Sequence, residues 1–336
     1  DHQAYRTMEE LSEEASQDCI ALTENLLLEQ GILNQEQVEA MRGETTDEVR
    51  AQSREALKSR QPRAEEVLDN MYSSKQMAEP EEFAAPTVEA EVLTMAQSIN
   101  RTLAQEMEVN DRIVVFGQDV ADVSREEALG ACKGKGGVFK ITHGLQGRYG
   151  SDRVYNTLLS ENSILGRAVG MAVRGLKPIA EIQFLDFLWY GFMQIRGELA
   201  TMRYRSAGQF AAPAVIRIPC GGYVRGGAIY HSQSAETIFA ACPGLRIAYP
   251  STAADAMGLL RTAIRMDDPV IFLEHKHLYY QGYARSPDPG PDYLVPFGRA
   301  AIRRKGTDAT IATWGAMVQK SLEAADRLWK HRGIET

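Results

Sequence analysis

Cysteine is scarce in this chain, and its spacing pairs none of it. Cys19, Cys132, Cys220 and Cys242 are the four among 336 residues. No two form a CxxC, so neither a zinc knuckle nor a disulfide framework organises the fold, and a reducing, intracellular compartment is expected. Runs of Lys and Arg are missing too. The balance of 37 basic to 45 acidic residues leaves a net charge of −8, which argues against a nucleic-acid surface. No apolar run approaches the roughly 20 residues of a membrane span, and there is no secretory signal. Internal repeats and low-complexity tracts are absent. Gly134-Lys-Gly-Gly137 is neither a P-loop nor a GxGxxG and reads as a flexible loop. His275-Lys-His277 has no acidic neighbour at metal-ligand spacing, so these two histidines and His143 are expected to be structural or exposed.

What is present is a large apolar fraction, 44%, in a chain too long for one average domain. It begins at Asp1 rather than methionine and breaks off within an α/β pattern, so it reads as a piece of a longer polypeptide. Residues 1–75 are charged and helical. Thr7-Met-Glu-Glu10 and Asn34-Gln-Glu-Gln37 are capping boxes, and Asp18 can cap a helix carrying Ile20, Leu22, Leu26 and Leu27. A third helix is expected from Gln35 to Ser59. Its apolar stripe is sparse, so this segment should lean on another domain. Residues 76–90, with Pro80, Pro86 and several acids, read as a linker. From 91 to 293 short apolar strands alternate with helices, the pattern of a parallel sheet covered on both faces. A helix is expected from Gly191 to Arg203 within that stretch. Residues 294–336 read as two strands and a helix opening a further α/β domain.

The central stretch runs from Tyr155 through Leu158-Leu159-Ser160-Glu161 into a helix of small residues, Gly166, Ala168, Gly170 and Ala172. Glu161 stands in the first helical turn, where the helix dipole favours an acid. Its neighbours are apolar or small, so poor hydration and a readily held proton are expected, as a general acid requires. By local pattern alone, the commoner reading is an acid that merely decorates a helix start.

Leu-Leu-Ser-Glu followed by a Gly/Ala helix resembles the pyrimidine-binding domain of thiamine diphosphate enzymes, above all the beta component (E1) of 2-oxo acid dehydrogenases. In that family the glutamate hydrogen-bonds N1′ of the aminopyrimidine and drives it toward the imino tautomer that deprotonates the thiazolium. The resemblance makes Glu161 catalytic and sets Leu159 against the pyrimidine. Glu181-Ile-Gln-Phe-Leu-Asp-Phe187 is similar to the family's Glu-Ile-Gln-Phe-Ala-Asp-Tyr, which implies that Phe187 stacks on the ring and Gln183 lines the same pocket. Gly226-Gly-Ala-Ile-Tyr-His-Ser-Gln-Ser234 resembles the branched-chain enzymes, with Cys242-Pro-Gly-Leu continuing the match. It implies a catalytic His231 at the substrate end of the site. Ala263-Ile-Arg-Met-Asp-Asp268-Pro resembles a turn in which carbonyls of Ala263, Ile264 and Met266, with Asp268, hold a structural monovalent cation, K+. Arg203-Tyr-Arg-Ser206 resembles a string read as a subunit contact or loop anchor.

Residues 1–75 resemble the C-terminal end of the alpha component, from Asp1-x-x-x-Tyr-Arg6 through Leu26 to Leu33 and Gln35 to Met41 to Met71-Tyr72-Ser73. The whole then resembles an E1 with alpha and beta fused. The resemblance implies oxidative decarboxylation of a 2-oxo acid on thiamine diphosphate and Mg2+, with branched-chain acids leading and pyruvate and acetoin left open. It also implies acyl transfer to a lipoyl-bearing E2, a homodimer of fused chains, and a cytoplasmic location (mitochondrial matrix in a eukaryote). There are departures. Gly117-Gln-Asp-Val120 replaces Gly-Glu-Asp-Val, Leu158 replaces a proline, and no Gly-Asp-Gly…Asn-Asn motif for the diphosphate occurs in these residues. A transketolase-type ketol transferase and an inactive scaffold of the same fold are the alternatives.

Overall fold

The computed structural model describes residues 6–75 and 90–336. The expected linker therefore lies almost wholly outside the described residues. The chain divides into two compact units at Val67–Leu68, so Met71-Tyr72-Ser73 belongs to the second unit rather than to the helical tail.

The first unit holds α1 (Met8–Ser16), α2 (Cys19–Glu29) and α3 (Gln35–Leu57). Both expected capping boxes form, at Thr7 with Glu10 and at Asn34 with Gln37, and the Asp18 carboxylate accepts from the Ile20 amide at 2.8 Å. Each satisfies amides that the first helical turn leaves without partners. Val38 is the one buried residue in these helices, while Ile20, Leu22, Leu26, Met41 and Val49 are exposed.

The second unit opens with β1 (Val92–Leu93) and α4 (Met95–Val109), followed by β2 (Ile113–Gly117) and α5 (Leu145–Tyr149). Next come β3 (Val154–Asn156), α6 (Glu161–Val173), β4 (Lys177–Glu181), α7 (Met202–Arg205), β5 (Val215–Cys220) and α8 (Glu236–Ala240). The unit closes with β6 (Arg246–Ala248), α9 (Ala253–Arg265), β7 (Val270–His275), β8 (Ser286–Pro287) and α10 (Met317–Arg332). Six strands form one parallel sheet in the order β3-β2-β4-β5-β7-β6, and β1 pairs with β8 apart from it.

Alternation along the strands explains why both faces are covered. Val114, Phe116, Ala180, Ile216, Ile218, Ile271 and Leu273 join Ile164, Leu165 and Ala168 of α6 in one core. Ile113, Val115, Ile179, Val215, Val270 and Phe272 join α4 and α9 on the other face. This is the expected α/β fold, with every strand of the sheet running the same way.

Two expectations fail. Residues 299–316 form no strand, and Ile302 and Ile311 are exposed, because a strand needs a neighbour to pair with and none lies beside them among the described residues. The helix expected from Gly191 to Arg203 is instead a π-helical turn over Gln194–Leu199 followed by short α7. Apolar periodicity does not distinguish these windings. No helix among the described residues is long and apolar enough to cross a membrane.

Three central strands are pinned to one another by charge. Wholly buried Arg217 on β5 donates from Nη1 to Glu181 of β4 at 2.7 Å, and from Nε and Nη2 to Glu274 of β7 at 2.7 and 2.8 Å. Tyr279 adds its hydroxyl to Glu274 at 2.6 Å. Burial works against the Arg217 charge, but Glu274 and Glu181 outweigh it and raise its pKa. Burial pushes the Glu181 carboxyl up against the pull of Arg217. A buried pair of this kind gives little net stability, yet removing one partner strands the other. Arg217→Met is expected to cost about 3–5 kcal/mol in urea unfolding. A loss below about 1 kcal/mol would show that the three strands do not depend on it.

Candidate active site

In a parallel sheet ligands gather at the carboxyl ends of the strands, and the expected residues lie on segments leaving that edge. Chain leaving β3 turns through residues 157–160 into α6. There the Ser160 hydroxyl accepts from the Ser163 amide at 3.4 Å and Glu161 takes the first helical position. Behind it stands Gly191, where a Cβ would fall 2.8 Å from the Glu161 carbonyl carbon and oxygen and 2.6 Å from Leu165 Cδ1. Only a residue without a side chain lets that segment close on the start of α6. Asn162 is held from the same side by Gln194 Nε2 at 3.1 Å.

The Glu161 carboxylate has no hydrogen-bond or ion-pair partner among the described residues. Its surroundings differ from those read in the sequence. Glu161 is half-buried rather than enclosed, and Leu158 and Leu159 are 85% and 78% exposed. The turn lies at an open edge, and no described side chain covers its apolar residues.

Chain leaving β4 carries Gln183, Phe184, Asp186 and Phe187, with Leu185–Tyr190 wound as a 3-10 helix. Gln183 is buried without a side-chain hydrogen bond among the described residues, and Phe187 is half-buried. Chain leaving β5 forms a loop closed at its neck by the Gly221 amide donating to the Gln233 carbonyl at 2.8 Å. The loop brings His231 against both phenyl rings, edge to face, with centroids 4.5 Å from Phe184 and 5.5 Å from Phe187. His231 Nδ1 lies 3.0 Å from the Gly227 carbonyl. A carbonyl only accepts, so Nδ1 carries the proton and Nε2 is left to meet a ligand.

Asp186, which sequence reasoning passed over, ties these two segments together. Its carboxylate oxygens accept from the Ser232 amide at 3.2 Å and the Gln233 amide at 3.4 Å. Trp189 Nε1 reaches the Gln233 side chain at 3.1 Å. Both partners belong to strings visible in the sequence, but their separation of 46 residues gives no local signal. Lys276, the first residue beyond β7, donates from Nζ to the Gly221 carbonyl and lies 5.9 Å from the Phe184 ring. Burial lowers the pKa of its ammonium.

Residues 91–281 match the family of transketolase pyrimidine-binding domains, and residues 1–65 match the dehydrogenase E1 component. The 2-oxoisovalerate dehydrogenase subunit beta of Bacillus subtilis (strain 168) is 44% identical over 239 residues, spanning 71% of this chain and 68% of that relative. The pyruvate dehydrogenase E1 component subunit beta of Acholeplasma laidlawii is 42% identical over 243 residues, 72% of this chain and 69% of the relative. This chain belongs to the E1 component family of thiamine diphosphate-dependent 2-oxo acid dehydrogenases. A solved split gene transketolase, an inactive beta4 tetramer, shares the fold with a TM-score of 0.52 at 22% identity, covering 72% of this chain and 69% of that one.

The structure brings Phe187 and His231 to one place and packs Glu161's backbone against Gly191, at the end of the same 3-10 segment, while Gln183 stands buried on the chain just before it. The remaining histidines stand elsewhere. His143 pairs with Asp122 at 3.1 Å, and His277 Nδ1 lies 3.2 Å from the Tyr223 carbonyl. His275 is buried between Tyr223 and Tyr249, and burial pushes its pKa down to about 4. Arg203 anchors a loop, donating from Nη2 to the Asp267 carbonyl at 2.9 Å.

Two amide bonds to a carboxylate are each stronger than a neutral pair. Asp186→Ala is therefore expected to lower kcat/KM about 10- to 100-fold and to speed amide exchange across residues 226–233. Asp186→Asn, which keeps one acceptor oxygen, should recover part of both. Unchanged exchange in the alanine variant would remove Asp186 from any part in holding His231.

Proposed function

We propose that this chain supplies the pyrimidine half of an E1 active site, for the oxidative decarboxylation of a branched-chain 2-oxo acid with acyl transfer to the lipoyl group of an E2 partner. The observation that carries the reading is Glu161. It is a half-buried carboxylate with no described partner, at the first position of α6, backed by Gly191 and flanked by the segment bearing Gln183 and Phe187. These residues fit an aminopyrimidine: an acid for a ring nitrogen, a flat apolar ring, and a buried amide with its hydrogen bonds still to make.

When bound, thiamine diphosphate would supply a carbon nucleophile and an electron sink for decarboxylation of a 2-oxo acid. Glu161 holds and returns a proton at N1′ of the pyrimidine. Phe187 gives the ring a plate to lie against, and Leu159 offers an apolar side to its other edge. His231, with its proton fixed on Nδ1, presents Nε2 to the substrate end, where it takes up a proton in one step and gives it back in another. The diphosphate and its Mg2+ call for a Gly-Asp-Gly…Asn-Asn motif from elsewhere in the assembly, which favours a site completed between two fused chains. A cytoplasmic setting suits a partner E2 of the bacterial kind.

The branched-chain preference rests on the Gly226–Ser234 loop and on the 44% identity to the 2-oxoisovalerate dehydrogenase subunit; pyruvate is the competing substrate. The test uses the intact polypeptide with Mg2+ and thiamine diphosphate, following reduction of an artificial electron acceptor with 3-methyl-2-oxobutanoate and with pyruvate. Turnover with the branched acid is expected, falling at least about 100-fold in Glu161→Gln. Preference for pyruvate would reassign the substrate. Ketol transfer without either turnover would replace the reading with a transketolase-type one, and a bound cofactor with neither activity would leave a scaffold.

A further inference from the structure

The family resemblance implies a monovalent cation at the end of α9, held by carbonyls of Ala263, Ile264 and Met266 and by Asp268. The Met266 carbonyl and the Asp268 carboxylate of that set are already engaged by the protein itself. The Met266 carbonyl accepts from Lys177 Nζ at 2.6 Å. Asp268, 3% exposed, accepts the Ser73 amide on Oδ1 at 2.6 Å and Arg246 Nε on Oδ2 at 3.1 Å, with Arg203 Nε 3.6 Å from Oδ1. The Asp267 carbonyl is taken by Arg203, and its carboxylate lies 3.5 Å from Lys75 Nζ. Four protein cations thus face two carboxylates. A further cation entering here would meet net positive charge and would have to displace a bonded ammonium from Met266.

We infer that the ammonium of Lys177 is the resident cation of this turn, and that the protein needs no potassium there. The chemistry agrees with the position. The carbonyls closing a helix carry partial negative charge, and a cation on them is favourable. Lys177 is buried and is the first residue of β4, the strand that ends at Glu181 and launches Gln183, Asp186 and Phe187. The contact therefore ties the end of α9 to the strand that presents the pyrimidine plate. A tethered ammonium does this without a dissociable ion. The same turn holds residues 72–75 through the Ser73 amide and through Arg246, whose guanidinium lies 3.9 Å over the Tyr72 ring.

The test is thermal unfolding of the intact polypeptide in potassium chloride and in choline chloride at matched ionic strength. It is run near pH 6 in both salts. Wild type is expected to melt at the same temperature in both salts. Lys177→Thr is expected to melt lower in choline and to regain part of the loss in potassium, as the vacated carbonyl takes the ion. Lys177→Arg keeps the charge and should ignore the salt; it also guards against a threonine variant that does not fold. A wild-type melting temperature several degrees higher in potassium would overturn the inference. So would a threonine variant as stable as wild type in choline.

Discussion

One guanidinium sets the frame in which the rest of the second unit is read. Arg217 sits in the middle of the sheet, wholly buried, with a carboxylate from each neighbouring strand on its nitrogens. Desolvating three ionisable groups is costly, so the arrangement contributes register rather than bulk stability. A one-residue slip of β4, β5 or β7 would turn its charged residue onto the opposite, apolar face and leave the others unmatched. The segments that bear Gln183, Phe187 and His231, and Lys276 beside them, all leave the sheet within a few residues of this cluster. Their placement follows from it.

Beyond the strand ends, a second tier of bonds takes over. Asp186 reaches from the segment after β4 to the amides of the loop after β5, and Gly191 lets the same segment close onto the start of α6. Acid, aromatic plate and imidazole are thus carried by three different strand exits that share one connecting stretch, residues 182–194. At the far end of β4, Lys177 on the Met266 carbonyl fixes the strand's other terminus. The site is held from both ends of one strand, while its apolar lip at Leu158 and Leu159 stays open.

What the sequence discloses and what it hides divide along local and distant interactions. The capping boxes at Thr7 and Asn34 and the start of α6 at Glu161 depend on neighbours in the chain, and each stands where the pattern put it. The order of strands was not specified beyond a parallel sheet, since helix–strand alternation does not encode adjacency. Asp186 was hidden because its partners lie 46 and 47 residues away. The two strands expected within residues 294–336 do not form, because residue pattern alone cannot supply a pairing partner. Nothing in Ala263–Asp268 discloses that a lysine 89 residues earlier reaches the Met266 carbonyl.

The central claim is that Glu161 acts on the aminopyrimidine, and the most direct measurement is isotope exchange at the cofactor carbon it activates. In the intact polypeptide carrying thiamine diphosphate and Mg2+, the exchange of the thiazolium C2 proton for deuterium is followed by quenching and proton NMR. The account predicts exchange much faster than in the free cofactor, slowed at least about 100-fold by Glu161→Gln at full cofactor occupancy. Equal exchange in wild type and variant, with the cofactor bound in both, would contradict it.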